Sequence, residues 1–386
     1  MKKILLIILD GAPDIGKRTP LSEAFKPNID YLASHSTCGM WRALLPKNYS
    51  IANFSDVGNL QLLGYYKYPG RGYLEALGID LKPDKKAVYL RANFSYVKKV
   101  KNGYKIIDRR AGRNEEGLDK LVKEINKINI KGASIKFYKG TGHRGVLVLK
   151  GKGLTYEVTE SDKFSYASYV NPLNKKGGKT SRILNEFIDK SFELLNKHSV
   201  NKKRRIPANF LLLRGLGHYV SVKPFSKIFG MKGAMVSGVG ILKGIGRFIG
   251  LDVSTVSGAN GHVNTNLEGK LKKTLELLNR YDFVVFHING ADEAAHDRNP
   301  KKKKAFIELM DRKVFSEIIK LRNTIVIITS DHITSSKTGM HVKGFVPFLI
   351  YNPDDDIFSR RSFNEHTCND FITDNPIKKI IIKIKR

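Results

Sequence analysis

Four short runs of β-branched and aliphatic residues sit against acidic or histidine-bearing loops, and that pattern limits the fold more than any other feature of the chain. Residues 4–9 run into Asp10, residues 283–288 into Asn289-Gly290-Ala291-Asp292, and residues 324–329 into Ser330-Asp331-His332, while residues 348–351 follow His341. Uninterrupted apolar runs of this length suit strands buried on both faces, as in the parallel sheet of an α/β fold. Between the second and third runs, Phe306, Ile307, Met310, Val314 and Ile318 recur at helical spacing, supplying the helix that a right-handed crossover requires. The expected architecture is α/β, with one mostly parallel sheet covered by helices.

In such sheets ligands bind beyond the carboxyl ends of the strands, so these loops are expected to converge in one crevice. The first run and the last three are far enough apart to enclose an inserted domain, and 386 residues suffice for roughly two or three cores. Composition shifts place the borders near 85 and 230, giving one discontinuous domain (1–85 with 231–386) and an inserted one (86–230). Within the insert, residues 85–105 read as a basic hairpin, 134–138 and 145–149 as strands, and 180–195 as a helix.

Lys and Arg number 68 against 36 Asp and Glu, a formal net charge of +32. A field of that sign attracts polyanions and anionic substrates. The basic residues come in scattered pairs and short runs (202–205, 301–304, Lys378 and Lys379), with no zinc finger, RNP-like aromatic segment or continuous basic helix. Only bulk charge therefore supports a nucleic-acid-binding protein, and no specific nucleic-acid partner is expected. Cys38 and Cys368 are too few and too isolated for a disulfide framework or a thiolate metal site, which points to a reducing compartment, the cytoplasm. Residues 2–9 imitate a signal peptide, but their apolar run stops at Asp10, short of the usual apolar region. No apolar stretch approaches the ~20 residues of a membrane-spanning helix, so no membrane partner is expected.

Asp292 and His296 are one helical turn apart and share a face. Alone, the pair reads first as a helix N-terminus with a first-turn acid and a solvated imidazole. Asp331-His332 is also a turn signal, and His341 by itself an ordinary structural histidine. Together, Asp10, Asp292, His296, Asp331, His332 and His341 form a mixed oxygen and nitrogen donor set at strand ends that the topology gathers. Such a set suits two ions of Mn²⁺, Zn²⁺ or Co²⁺ better than Mg²⁺. Ser55, in Asn53-Phe54-Ser55-Asp56 ahead of Leu60, Leu62 and Leu63, lies near the N-terminus of a short helix. It reads either as an N-cap or as a nucleophile activated by a metal, at a helix end that favours anions.

The segments ILLIILDGAPD, SDVGNLQLLGY, GRGYLEALGIDL, IIDRRAGR, GTGHRGVLVL, PANFLLLRGLG, FHINGADEAAHD and ITSDH follow one another along nearly the whole chain, with His341 beyond the last. In order and spacing the chain resembles the archaeal-type cofactor-independent phosphoglycerate mutases of the alkaline phosphatase superfamily. The resemblance implies an alkaline-phosphatase-like sheet sandwiched by helices, with a smaller inserted α/β domain that binds substrate. It implies interconversion of 3-phosphoglycerate and 2-phosphoglycerate through a phosphoserine, without 2,3-bisphosphoglycerate. Two divalent ions are implied, Mn²⁺ first, with Zn²⁺, Co²⁺ or Mg²⁺ as substitutes. One would be held by Asp292, His296 and His341, the other by Asp10, Asp331, His332 and the Ser55 oxygen. The substrate grip would come from Asp108, Arg109, Arg113, His143, Arg144, Arg214 and Lys243, which otherwise read as a solvated basic surface. The chain departs from the family pattern at Phe54, where Gly is common, at Asn289, where Lys is common, and at Ser161-Asp162-Lys163-Phe164, where Asp-Pro-His is expected. These changes bear on substrate fit and turnover. A phosphatase, or a homoserine-kinase-like phosphotransferase with the same metal core, is the nearest alternative.

Overall fold

The computed structural model describes residues 2–44, 54–162, 168–171, 173–174, 178–373 and 377. Asn53, Lys163, Phe164, Lys378, Lys379 and the Phe54 side chain lie outside the described residues. The chain forms two compact units, Met1–Tyr68 with Val222–Arg386, and Pro69–Ser221.

The first unit is built on an eight-stranded sheet in the order Ile372–Thr373, Thr37–Trp41, Val346–Tyr351, Thr324–Thr329, Lys3–Leu9, Phe283–Ile288, Gly233–Val236, Asp252–Ser254. Lys3–Leu9 runs parallel to both Phe283–Ile288 and Thr324–Thr329. Leu5, Ile7, Leu9, Val284, Phe286, Ile288, Val326 and Ile328 all point into one apolar cluster with Ile29, Leu32, Leu271, Phe306, Ile307 and Met310 of the covering helices. The alternate positions Leu6, Ile8, Val285 and Ile327 are buried as well. Over Met235 lies helix Gly240–Phe248, which comes so close that a side chain at Gly246 would meet Val253 Cγ2 at 2.8 Å and Met235 Sδ at 3.0 Å. Both faces of the central strands are therefore dry, which is why they read as unbroken apolar runs.

Strand Val346–Tyr351 is antiparallel to Thr324–Thr329, against the sequence expectation of parallel runs. A parallel return needs a crossover, usually helical. Here the connection is instead a hairpin, Ile333–Ser335 with Met340–Val342, and the chain re-enters from the end it left.

The second unit is an antiparallel sheet, with Gly103–Asp108, Ala87–Val100, Arg144–Lys150 and Ser134–Lys139 in order and Phe210–His218 also pairing with Ala87–Val100. Helices Leu118–Ile125 and Gly178–Lys197 supply much of its core. Its borders fall earlier than the composition shift suggests. Helix Arg71–Gly78 packs on strand Ala87–Val100, with Gly72 so close that a Cβ there would meet Tyr89 O at 2.5 Å. At the other border Phe225 stacks on Phe283 at 4.7 Å and belongs to the first unit. Among the described residues no helix is long and apolar enough to cross a membrane.

Lys303 lies fully buried in helix Pro300–Met310. It donates to Thr334 O at 2.8 Å, to Pro13 O at 3.1 Å and to Asp14 Oδ2 at 3.1 Å, joining three segments beneath the strand ends. Removing one partner strands a buried charge, so Lys303→Met is expected to lower the unfolding free energy by about 3–5 kcal/mol in urea titration. Lys303→Met with Asp14→Asn should recover part of that loss.

Candidate metal centre and anion-binding cluster

Strand register sets the first group. Leu9 pairs with Ile288 and Ile8 with Thr329, so Asp10, the 289–292 turn and Asp331-His332 leave the sheet at one level. Asp10 N continues the ladder by donating to Ile288 O at 3.0 Å. Helix Gly290–His296 starts directly off its strand, with Gly290 pressed against the Phe306 ring where a side chain has no room. It places Asp292 Oδ2 3.4 Å from His296 Nε2. The hairpin pairs Thr334 with His341 and stacks the His341 ring on His332 with centroids 4.0 Å apart.

The six side chains form two overlapping groups. Asp10, Asp331 and His332 have ligand atoms within 4.8 Å of one another, as do Asp292, His332 and His341. His332 Nε2 lies 3.3 Å from Asp10 Oδ1 and 3.4 Å from Asp331 Oδ2. His341 Nε2 is 3.6 Å from Asp292 Oδ1 and 3.1 Å from His296 Nε2. His296 thus adjoins the second group, and His332 takes part in both.

This arrangement fits divalent cations on three counts. His296 Nδ1 is 2.8 Å from the Gly339 carbonyl, which only accepts, so Nδ1 carries a proton and Nε2 is the atom that faces His341. Buried Asp10 Oδ1 and His332 Nε2 have no hydrogen-bond partner, whereas buried polar atoms normally do. Crowded carboxylates resist ionising without a counter-charge: burial and the nearby Asp331 push Asp10 well up, and burial with Asp292 pushes Asp331 up to about 7. Burial and the adjoining His341 hold His332 far below the ordinary imidazole range, leaving it neutral.

Ser55 is the second residue of helix Phe54–Leu62 and half-buried. Asn59 ties this helix to the group, its Nδ2 donating to Ser55 O at 2.8 Å and Asp331 Oδ2 at 2.7 Å. Gly58 allows the approach, since a Cβ there would lie 2.6 Å from Asp331 O. Asn289 donates to Gly261 O at 2.9 Å and so joins the following loop to the strand end. The sequence pattern does not single out His287. It is fully buried, with Nε2 3.1 Å from Asp10 Oδ2, and its only sequence signal is an imidazole inside an apolar strand.

In the second unit a cluster of guanidinium groups converges. Arg214 is 3.7 Å from Asp162, which also accepts from Arg109 Nε at 3.1 Å. Arg91 and Arg71 share Glu75 Oε1 at 3.5 and 3.3 Å. Burial, with the charges of Arg144, Arg91, Arg214 and Arg113 around it, pushes His143 down to about 3. Asp108 instead shapes the turn, accepting from Arg110 N at 2.7 Å and Gly112 N at 3.3 Å. The buried Arg214 Nε lacks a hydrogen-bond partner, whereas buried polar atoms normally have one. Arg71, Glu75 and Arg91 were not foreseen, although Arg91 interrupts the apolar strand sequence around Leu90 and Ala92. Lys243 belongs to the first unit, half-buried on helix Gly240–Phe248, where burial and Arg247 lower its pKa.

Residues 33–201 match the family model described as 2,3-bisphosphoglycerate-independent phosphoglycerate mutase. A protein of that name from Picrophilus torridus is 38% identical over 90% of this chain and 88% of its own. Among solved structures, one from Pyrococcus horikoshii has a TM-score of 0.74 at 33% identity, covering 92% of this chain and 90% of that one. A cofactor-independent phosphoglycerate mutase from Thermoplasma acidophilum has a TM-score of 0.65 at 30% identity, with 100% of both chains covered. Identity sustained over nearly whole chains makes this protein a member of the 2,3-bisphosphoglycerate-independent phosphoglycerate mutase family.

Proposed function

We propose that the protein interconverts 3-phosphoglycerate and 2-phosphoglycerate through a phosphoserine at Ser55. The observation that carries this reading is the tether Ser55 O–Asn59–Asp331, which fixes the serine-bearing helix to a donor set suited to divalent cations. Asp292, His296 and His341 would hold one ion, and Asp10, Asp331, His332 and Ser55 the other. Bound there, Mn²⁺, or Zn²⁺, Co²⁺ or Mg²⁺ in its place, supplies Lewis acidity that lowers the serine hydroxyl pKa and neutralises phosphoryl charge.

Ser55 Oγ attacks phosphorus, the bond from phosphorus to the C3 oxygen breaks, and the proton lost by serine ends on the C3 hydroxyl. The C2 hydroxyl of the retained glycerate then attacks the phosphoserine, its proton passes to Ser55 Oγ, and 2-phosphoglycerate forms with no water consumed. The N-terminal amides of helix Phe54–Leu62 favour the phosphoryl anion. Arg109, Arg113, Arg144 and Arg214, with Arg71 and Arg91, recognise the carboxylate and phosphate of the substrate, a task for which the planar guanidinium is suited. His143 stays neutral beside them and serves as a hydrogen-bonding group. The bulk positive field steers the anionic substrate. The enzyme is expected to be cytoplasmic.

Ser55→Ala should abolish the phosphoenzyme and reduce mutase turnover by a factor on the order of 10⁴ or more, with metal binding weakened far less. Retained turnover, or phosphate release from 3-phosphoglycerate in place of 2-phosphoglycerate, overturns the reading. Arg214→Met is expected to raise KM about 10- to 100-fold with a smaller change in kcat, the loss of one or two charged hydrogen bonds. Chelation of divalent cations should abolish turnover in a coupled assay, and Mn²⁺ should restore it.

A further inference from the structure

The hairpin that carries His341 also carries Thr334, which is fully buried. Its Oγ1 lies 2.7 Å from Asp292 Oδ1 and 3.1 Å from His332 Nδ1, between the two proposed ligand groups. A hydroxyl has one proton to give, and a ligating carboxylate only accepts. The Thr334 proton therefore goes to Asp292, and Thr334 Oγ1 meets His332 Nδ1 as an acceptor. His332 must then carry a proton on Nδ1, which leaves Nε2 as the ring atom available to a ligand. That is the atom 3.3 Å from Asp10 Oδ1 and 3.4 Å from Asp331 Oδ2.

We propose that Thr334 is a positioning residue whose single hydroxyl fixes the Nδ1–H tautomer of His332 and the orientation of Asp292 together, so that both ligand groups are set by one oxygen. This rests on the metal reading above. The main chain holds the hydroxyl in place. Thr334 N donates to Pro13 O at 3.2 Å, and Thr334 O accepts from buried Lys303 at 2.8 Å. Gly11, at a φ of 57°, closes over the Thr334–Asp292 bond so tightly that a Cβ there would lie 2.6 Å from Thr334 Oγ1 and 2.7 Å from Asp292 Oδ1.

The test compares wild type, Thr334→Ser, Thr334→Val and Thr334→Ala in metal-free form, with ¹⁵N-labelled histidine and His332→Gln to assign the ring signals. Zn²⁺ binding is then measured by calorimetry. Wild type and Thr334→Ser should show the Nδ1–H tautomer at His332 and Zn²⁺ affinities within about threefold of each other. Thr334→Val and Thr334→Ala should lose that tautomer and bind Zn²⁺ about 10- to 100-fold more weakly, as expected when the outer partner of a ligating imidazole is removed. Should Thr334→Val fail to fold, the alanine variant carries the comparison, and should both fail, loss of the tautomer in Thr334→Ser overturns the proposal. An unchanged tautomer, or a changed tautomer with unchanged affinity, in the folded variants also overturns it. Failure of wild type to bind Zn²⁺, Mn²⁺ or Co²⁺ sinks the metal reading instead, while the tautomer comparison still decides what Thr334 does.

Discussion

Everything in the first unit depends on three parallel strands, Lys3–Leu9, Phe283–Ile288 and Thr324–Thr329, held in register and dry on both faces. Each backbone group in such strands is satisfied by its neighbours, so the strands are rigid and their ends lie at one height. Charge can be placed only where the ladder stops. Asp10 and Asp331 therefore occupy a small, desolvated volume in which burial opposes ionisation, while beside them the imidazoles of His341, His296 and His332 outweigh burial and hold the Asp292 carboxyl below its ordinary range. A site of this kind is unfavourable as a bare protein surface and becomes favourable once multivalent positive charge is present. The rigidity that aligns the strand ends and the burial that crowds these carboxylates have one cause.

Much of this was legible in the sequence because strands buried on both faces are written as unbroken apolar runs, and the residue that ends each run is conspicuous. Asp10, Asp331 and His332 follow directly from that rule. His296 follows from helical spacing once Asp292 is placed. The direction of Val346–Tyr351 did not follow, because an apolar run looks the same whichever way it is threaded and the deciding feature is the hairpin before it. The domain borders were displaced for a related reason: composition changes where a sheet begins, whereas compactness includes the helix Arg71–Gly78 packed on that sheet.

Buried polar residues were the hardest to foresee. Arg71 stands at a helix start and reads as solvated, and only its sharing of Glu75 with Arg91 shows otherwise. His287 and Thr334 belong to strands, and their significance comes from distances of about 3 Å to residues remote in sequence. Such partners leave no periodic trace. Tertiary structure alone distinguishes a satisfied core histidine from one that abuts a carboxylate.

The way the two units share the chain governs the order in which the protein is built. Pro69–Ser221 is contiguous and can complete its own sheet as soon as it has been synthesised. Lys3–Leu9 is made before the second unit yet lies between strands near residues 283 and 324, so its two partners emerge only after the whole second unit. At about 5–20 residues per second, that wait lasts on the order of 15–60 s, during which a strongly apolar segment is without its native neighbours. The nascent chain therefore carries an unpartnered apolar strand throughout synthesis of the second unit, a burden for holdase chaperones that a circularly permuted gene starting at Val222 would relieve.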